Sequence, residues 1–155
     1  MKLLVAIDGS SGALGALLQA LKWVQGGLQA SFVLVNVQEP ASLYEMAVTH
    51  DAEKLKALRA AAGADLLAPA EALLDAAGAS YESEVAGGDP ANLIMELAEN
   101  YGCDAVVVGA RGMGDPGAGG LGPVARALVE HAPMTVMVGR LAEPEAAEGD
   151  VDADR

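Results

Sequence analysis

At 155 residues the chain has the length of one domain and can bury a core without disulfides or metals, and a composition that is 52% hydrophobic but only 3% aromatic implies an interior of Ala, Leu, Val and Met, suited to helices packed on a sheet. The formal charge of −13, from nine basic against 22 acidic residues, repels phosphate polymers and argues against DNA or RNA as a main partner. No apolar run approaches the roughly 20 residues that span a bilayer, Cys103 has no second cysteine to pair with, and no charged-then-apolar leader precedes Leu3, so a cytoplasmic location without membrane attachment is expected.

The run from Leu3 to Ile7 is unbroken and apolar, as in a strand covered on both faces, and it ends at Asp8-Gly9-Ser10. Leu14, Leu17, Leu18, Leu21 and Val24 then recur at helical steps up to Gly26-Gly27, which predicts a helix from Ser11 to Gln25. Phe32 to Val37 reads as a second strand, released by Glu39-Pro40 into about a dozen residues without a readable pattern. A long helical stretch follows from Asp51 to Ala77, and Pro69 within it is expected to kink or split it. Ser80 to Val85 alternates apolar and acidic residues and suggests an edge strand. Asp89 as cap and Pro90 at the first helical position open the next helix, which ends near Tyr101-Gly102. Asp104 to Gly109 is a fourth, buried strand, followed by a glycine-rich loop from Ala110 to Leu121, a helix from Pro123 to His131 and a fifth strand from Met134 to Val138. The alternation predicts an α/β fold, an open five-stranded parallel sheet with helices on both faces, over residues 1–141. Residues 142–155, with six acids between Glu143 and Asp154 and no apolar periodicity, read as a solvated, disordered tail.

Open sheets of this kind bind ligands beyond the carboxyl ends of their strands, where the strand order reverses. Asp8 after strand one, Val37 after strand two and Gly109 with its loop after strand four are therefore the candidate positions. Glycines leave backbone N–H groups open to an anion, and the helix after the loop points its positive end the same way, so phosphate binding is the natural use. Two literal dinucleotide fingerprints inside the loop, Gly112 to Gly117 and Gly117 to Gly122, come too late in the chain for that role. No P-loop lysine and no nucleophile elbow occurs, and turnover is not expected. His50 and His131 lack ligand spacing, Cys103 beside strand four reads as a core residue, and no metal site is expected. On chemistry alone Asp8 suits a helix cap or turn as well as a ligand contact, and Arg111 suits a solvated loop position better than a phosphate contact.

The spacing of the loop is more informative: Gly109-Ala110-Arg111-Gly112, nine residues from Met113 to Leu121, then Gly122-Pro123-Val124-Ala125. Together with Val5-Ala6-Ile7-Asp8-Gly9-Ser10, Gly88-Asp89-Pro90 and the closing Ala132 to Val138, it resembles the universal stress protein family over residues 2 to 140. The resemblance implies a Rossmann-like fold of the adenine nucleotide alpha hydrolase type, ATP with Mg²⁺ as ligand, and a homodimer paired through strand five. It implies a ribose contact for Asp8, a backbone contact to adenine for Val37, and phosphate contacts for Gly109, Gly112 and Gly122, with Arg111, Pro123 and Val124 completing the nucleotide-binding set. The chain departs from the pattern at Pro123, where the family's nucleotide binders carry Ser or Thr and proline offers neither hydroxyl nor N–H. Proline suits the first turn of a helix, so the change spares the fold and strikes the anion site. The loop has no lysine and carries Asp115, leaving Arg111 and Arg126 as the nearest basic residues. The expectation is a stress-response binding or regulatory module with a weakened adenine-nucleotide pocket; the alternatives are an ATP-binding stress protein with slow hydrolysis, a small nucleotide-dependent enzyme, and a structural dimer without ligand.

Overall fold

A computed structural model describes residues 1–40, 43–48, 51–112 and 120–140. The tail at 142–155, His50 and the loop residues 113–119, Asp115 among them, lie outside the described residues. The elements are β1 (Lys2–Ala6), α1 (Ser11–Gln25), β2 (Ser31–Gln38), α2 (Leu43–Val48), α3 (Ala52–Ala77), β3 (Tyr81–Gly87), α4 (Pro90–Asn100), β4 (Ala105–Gly109), α5 (Pro123–His131) and β5 (Thr135–Gly139). All five strands lie in one parallel sheet in the order β3-β2-β1-β4-β5. The chain builds outward from β1 to β3 and then crosses to β4, so the order reverses between β1 and β4 and a crevice opens at their carboxyl ends.

Period-two alternation along apolar strands divides the core in two. Leu3, Val5, Phe32, Leu34, Ala105 and Val107 face α1 and α3, where Leu17, Leu67 and Leu74 meet them. Leu4, Val33, Val35, Val106 and Val108 face the other way, against Ile94 and Leu97 of α4 and Leu128 of α5. Close approach of α1 to the sheet depends on small residues: a Cβ at Gly109 would lie 2.8 Å from the Gly12 carbonyl carbon, and one at Gly139 would lie 2.5 Å from Ala16 Cα. No described helix is long and apolar enough to cross a membrane.

Helix α3 runs through Pro69 without a break, where the sequence suggested a kink or split. Pro69 sits on the exposed side of the helix, next to the buried Ala70 and two residues from the buried Leu67. The carbonyl deprived of its N–H partner, at Asp65, is likewise on the solvent side, where water can replace the lost bond. The segment after Pro40 contains a helix the sequence did not announce, α2, too short to display a period. Strand β3 is an edge, as its acidic alternation suggested, and its polar side chains are tied to neighbouring helices: Tyr81 Oη donates to Asp75 at 2.9 Å, Ser83 Oγ to Glu71 at 2.9 Å, and Glu84 accepts from Tyr101 Oη at 3.0 Å. Cys103, expected in the core, is half-buried and packed against it, and desolvation pushes its thiol up, towards the protonated form.

Candidate functional site

The crevice at the reversal of strand order holds a cavity of about 300 Å³. Its floor and walls come from the ends of three strands: Ala6, Ile7 and Asp8 at the end of β1, Val35 and Val37 of β2, and the stretch from Val108 to Gly112 at and beyond the end of β4. The other side is closed by the first turns of helices, with Ser10 and Ala13 from α1, Pro90 and Ile94 from α4, and Gly122 to Ala125 from α5. Asp8, Val37, Gly109, Arg111, Gly112, Gly122, Pro123 and Val124, named from sequence, all line it. Arg126 does not; it lies exposed one residue beyond the lining stretch of α5.

Asp8 sits at a turn built by its neighbours. Its Oδ1 accepts the Ser10 N–H at 2.9 Å, Gly9 between them takes the left-handed φ of 88° that glycine allows, and Ser10, not Asp8, caps α1 by accepting the Ala13 N–H at 3.1 Å. The second oxygen of the carboxylate lies where Gly112 passes: a Cβ at that position would come within 2.5 Å of Asp8 Oδ2. Any larger residue at Gly112 would therefore push the Asp8 carboxylate aside, which the spacing of the glycines alone could not reveal.

The end of β1 is held by a residue that the sequence reading passed over. Asn36, buried on the α3 side of β2, donates from Nδ2 to the Ile7 carbonyl at 2.8 Å and accepts at Oδ1 from Gln38 Nε2 at 2.6 Å. It fixes the peptide that leads into Asp8; the available signal was one amide inside the apolar run from Phe32 to Val37. Val37 owes its place to strand alternation. The Val35 carbonyl accepts from the Ile7 N–H at 2.8 Å on the β1 side, while the Gln38 carbonyl accepts from the Gly88 N–H at 2.9 Å on the β3 side. Two residues beyond Val35, the N–H and C=O of Val37 therefore point past the end of β1 and into the crevice, one donor beside one acceptor.

Three helix N-termini border the cavity. Helix α5 begins with Gly122 as cap, without a side-chain capping bond, and Pro123 as its first residue. Helix α4 begins with Asp89, whose Oδ2 accepts the Asn92 N–H at 3.1 Å, and Pro90. Of the basic residues among the described lining, only Arg111 is present, and its Nε donates to the Gly120 carbonyl at 3.4 Å. Glu39, just past β2, adds a second carboxylate to the rim, a position that no pattern in the sequence marks.

The model of the universal stress protein family matches residues 1–140. No curated protein sequence matches significantly. Among solved structures, the chain is similar to the universal stress protein UspA from Lactobacillus plantarum, with a TM-score of 0.76 and 25% identity over 90% of this chain and 97% of that one. It is similar in fold to a universal stress protein family protein from Arabidopsis thaliana solved with AMP bound, with a TM-score of 0.65 and 23% identity over 96% of this chain and 94% of that one. A universal stress protein in complex with cAMP aligns with a TM-score of 0.66 and 21% identity over 92% of this chain and 98% of that one.

Proposed function

The chain belongs to the universal stress protein family, and from that premise we propose that it is a cytoplasmic stress-response binding module whose cavity takes an adenine compound and holds ATP only weakly. The observation that carries this reading is the convergence of all eight sequence-derived positions on one cavity at the reversal of strand order. The adjacent N–H and C=O of Val37 match the donor and acceptor on the edge of adenine, and the carboxylate of Asp8 is a natural acceptor for ribose hydroxyls. That two proteins of the same fold are described with AMP and with cAMP supports the choice of base.

Weak ATP binding follows from the phosphate end. Pro123 brings no hydroxyl and no N–H to the place where α5 begins. Two missing charge-assisted hydrogen bonds, at roughly 1.5 to 3 kcal/mol each, correspond to a loss on the order of a hundredfold or more. The residues present fit Mg²⁺ only through Asp8 or Glu39 together with the nucleotide's own phosphates, since no group of three metal-ligating side chains occurs among the described residues. This reading has no catalytic step, and any ATP hydrolysis is expected to be slow and incidental to binding. The reading also includes a homodimer through β5, whose outer edge has no strand partner within the described sheet.

Thermal melts test the ligand. With a dissociation constant in the millimolar range, about 10 mM Mg-ATP should stabilise the chain by roughly 1 kcal/mol and raise its Tm by about 2 to 4 °C, and Asp8→Ala should abolish the rise. A submicromolar dissociation constant, or no response to any adenine compound, would overturn the proposal.

A further inference from the structure

We infer that the cavity selects the uncharged nucleoside over its phosphates, so that adenosine binds more tightly than AMP and AMP more tightly than ATP. The inference rests on the adenine reading above and adds to it the charge of the ligand. It comes from how the helix N-termini that border the cavity are capped and from the carboxylates that line it.

A phosphate site in this fold draws on backbone N–H groups at helix N-termini. At α5 the Gly122 N–H donates to the Ala110 carbonyl at 2.7 Å and Pro123 has no N–H, so the first two donors are gone and Val124 and Ala125 are left. At α1 the Ser10 N–H is held by Asp8 and the Ala13 N–H by the Ser10 hydroxyl. At α4 the Asn92 N–H is held by Asp89, and the first residue is again a proline. Each terminus that borders the cavity therefore offers fewer open donors than a helix start without an internal cap or a proline, although Ser11, Gly12, Ala91, Val124 and Ala125 keep theirs.

The side chains act in the same direction. Asp8 and Glu39 both line the cavity, and Asp89 stands in the groove that continues from it past Glu39 and Pro123. The one basic side chain among the described lining residues, Arg111, reaches the Gly120 carbonyl with its Nε. Carboxylates accept hydrogen bonds from ribose hydroxyls at full strength but repel phosphate oxygens. A carboxylate about 6 Å from a phosphate charge lowers affinity several-fold to about tenfold at intermediate screening. The overall charge of −13 adds repulsion at longer range.

Calorimetric titration of the full chain with adenosine, AMP and ATP at fixed ionic strength, the last with and without Mg²⁺, tests the order. The expected result is a fall of about fivefold or more from adenosine to AMP and about tenfold or more from adenosine to Mg-ATP. Glu39→Gln should narrow the adenosine-to-AMP ratio several-fold, and Pro123→Ser should narrow it through a regained donor. AMP or ATP binding as tightly as adenosine would overturn the inference and leave the adenine reading standing. Silence from all three compounds would remove that reading and the inference with it. An unchanged ratio in both variants would refute the cause assigned here.

Discussion

Asn36 shows how much one buried side chain can determine at the site. It is about 2% exposed, and its amide closes the end of β1 by bonding the Ile7 carbonyl where strand pairing runs out. Asn36→Ala would leave that carbonyl without its side-chain donor and Gln38 without its acceptor, at a cost of about 1 to 3 kcal/mol. Calorimetry should find Tm lowered by roughly 2 to 10 °C; an unchanged Tm would mean that water replaces the amide without loss. The residues at the site were legible to different depths. Gly109, Gly112 and Gly122 stand out by spacing, but the close approach of Gly112 to the Asp8 carboxylate is a contact across about a hundred residues that no local pattern encodes. Glu39 carries no signal at all, because a carboxylate just past a strand is ordinary until the neighbouring helices are placed around it.

At the scale of elements, periodicity proved a good guide where an element was long or fully buried. Helices α1 and α5 lie where their apolar steps and caps put them, because a repeated three-to-four spacing over several turns has one low-energy reading. The six residues of α2 give too little sequence for a period. Pro69 misleads because breaking a helix depends on where the lost hydrogen bond faces, and here it faces solvent. Strand β5 closes the sheet opposite β3, and its Val136, Met137 and Val138 are only half-buried. If the outer edge pairs with a second copy, Val136→Asp should yield a monomer by light scattering while circular dichroism stays that of the folded chain. A mass equal to that of the native assembly would count against β5 as the interface.

Over the whole molecule, an apolar parallel sheet fixes a crevice where the strand order reverses, and what surrounds the crevice decides what it can hold. Sequence was enough for the sheet, its edge at β3 and the strand ends that border the cavity, since buried strands alternate with helices and only the third strand alternates apolar with acidic residues. It was not enough for the chemistry of the rim, which depends on which N–H groups are already bonded and which carboxylates converge. The strong net negative charge and the proline at the start of α5 both disfavour a polyphosphate there, whereas Val37 and Asp8, the positions proposed for base and ribose, line the same cavity. The most direct test is a calorimetric titration of the chain with Mg-ATP beside its Pro123→Ser variant. Weak binding by the native chain and an affinity on the order of a hundredfold or more higher in the variant are expected; equal affinity in the two proteins, or tight binding by the native chain, would contradict the proposal.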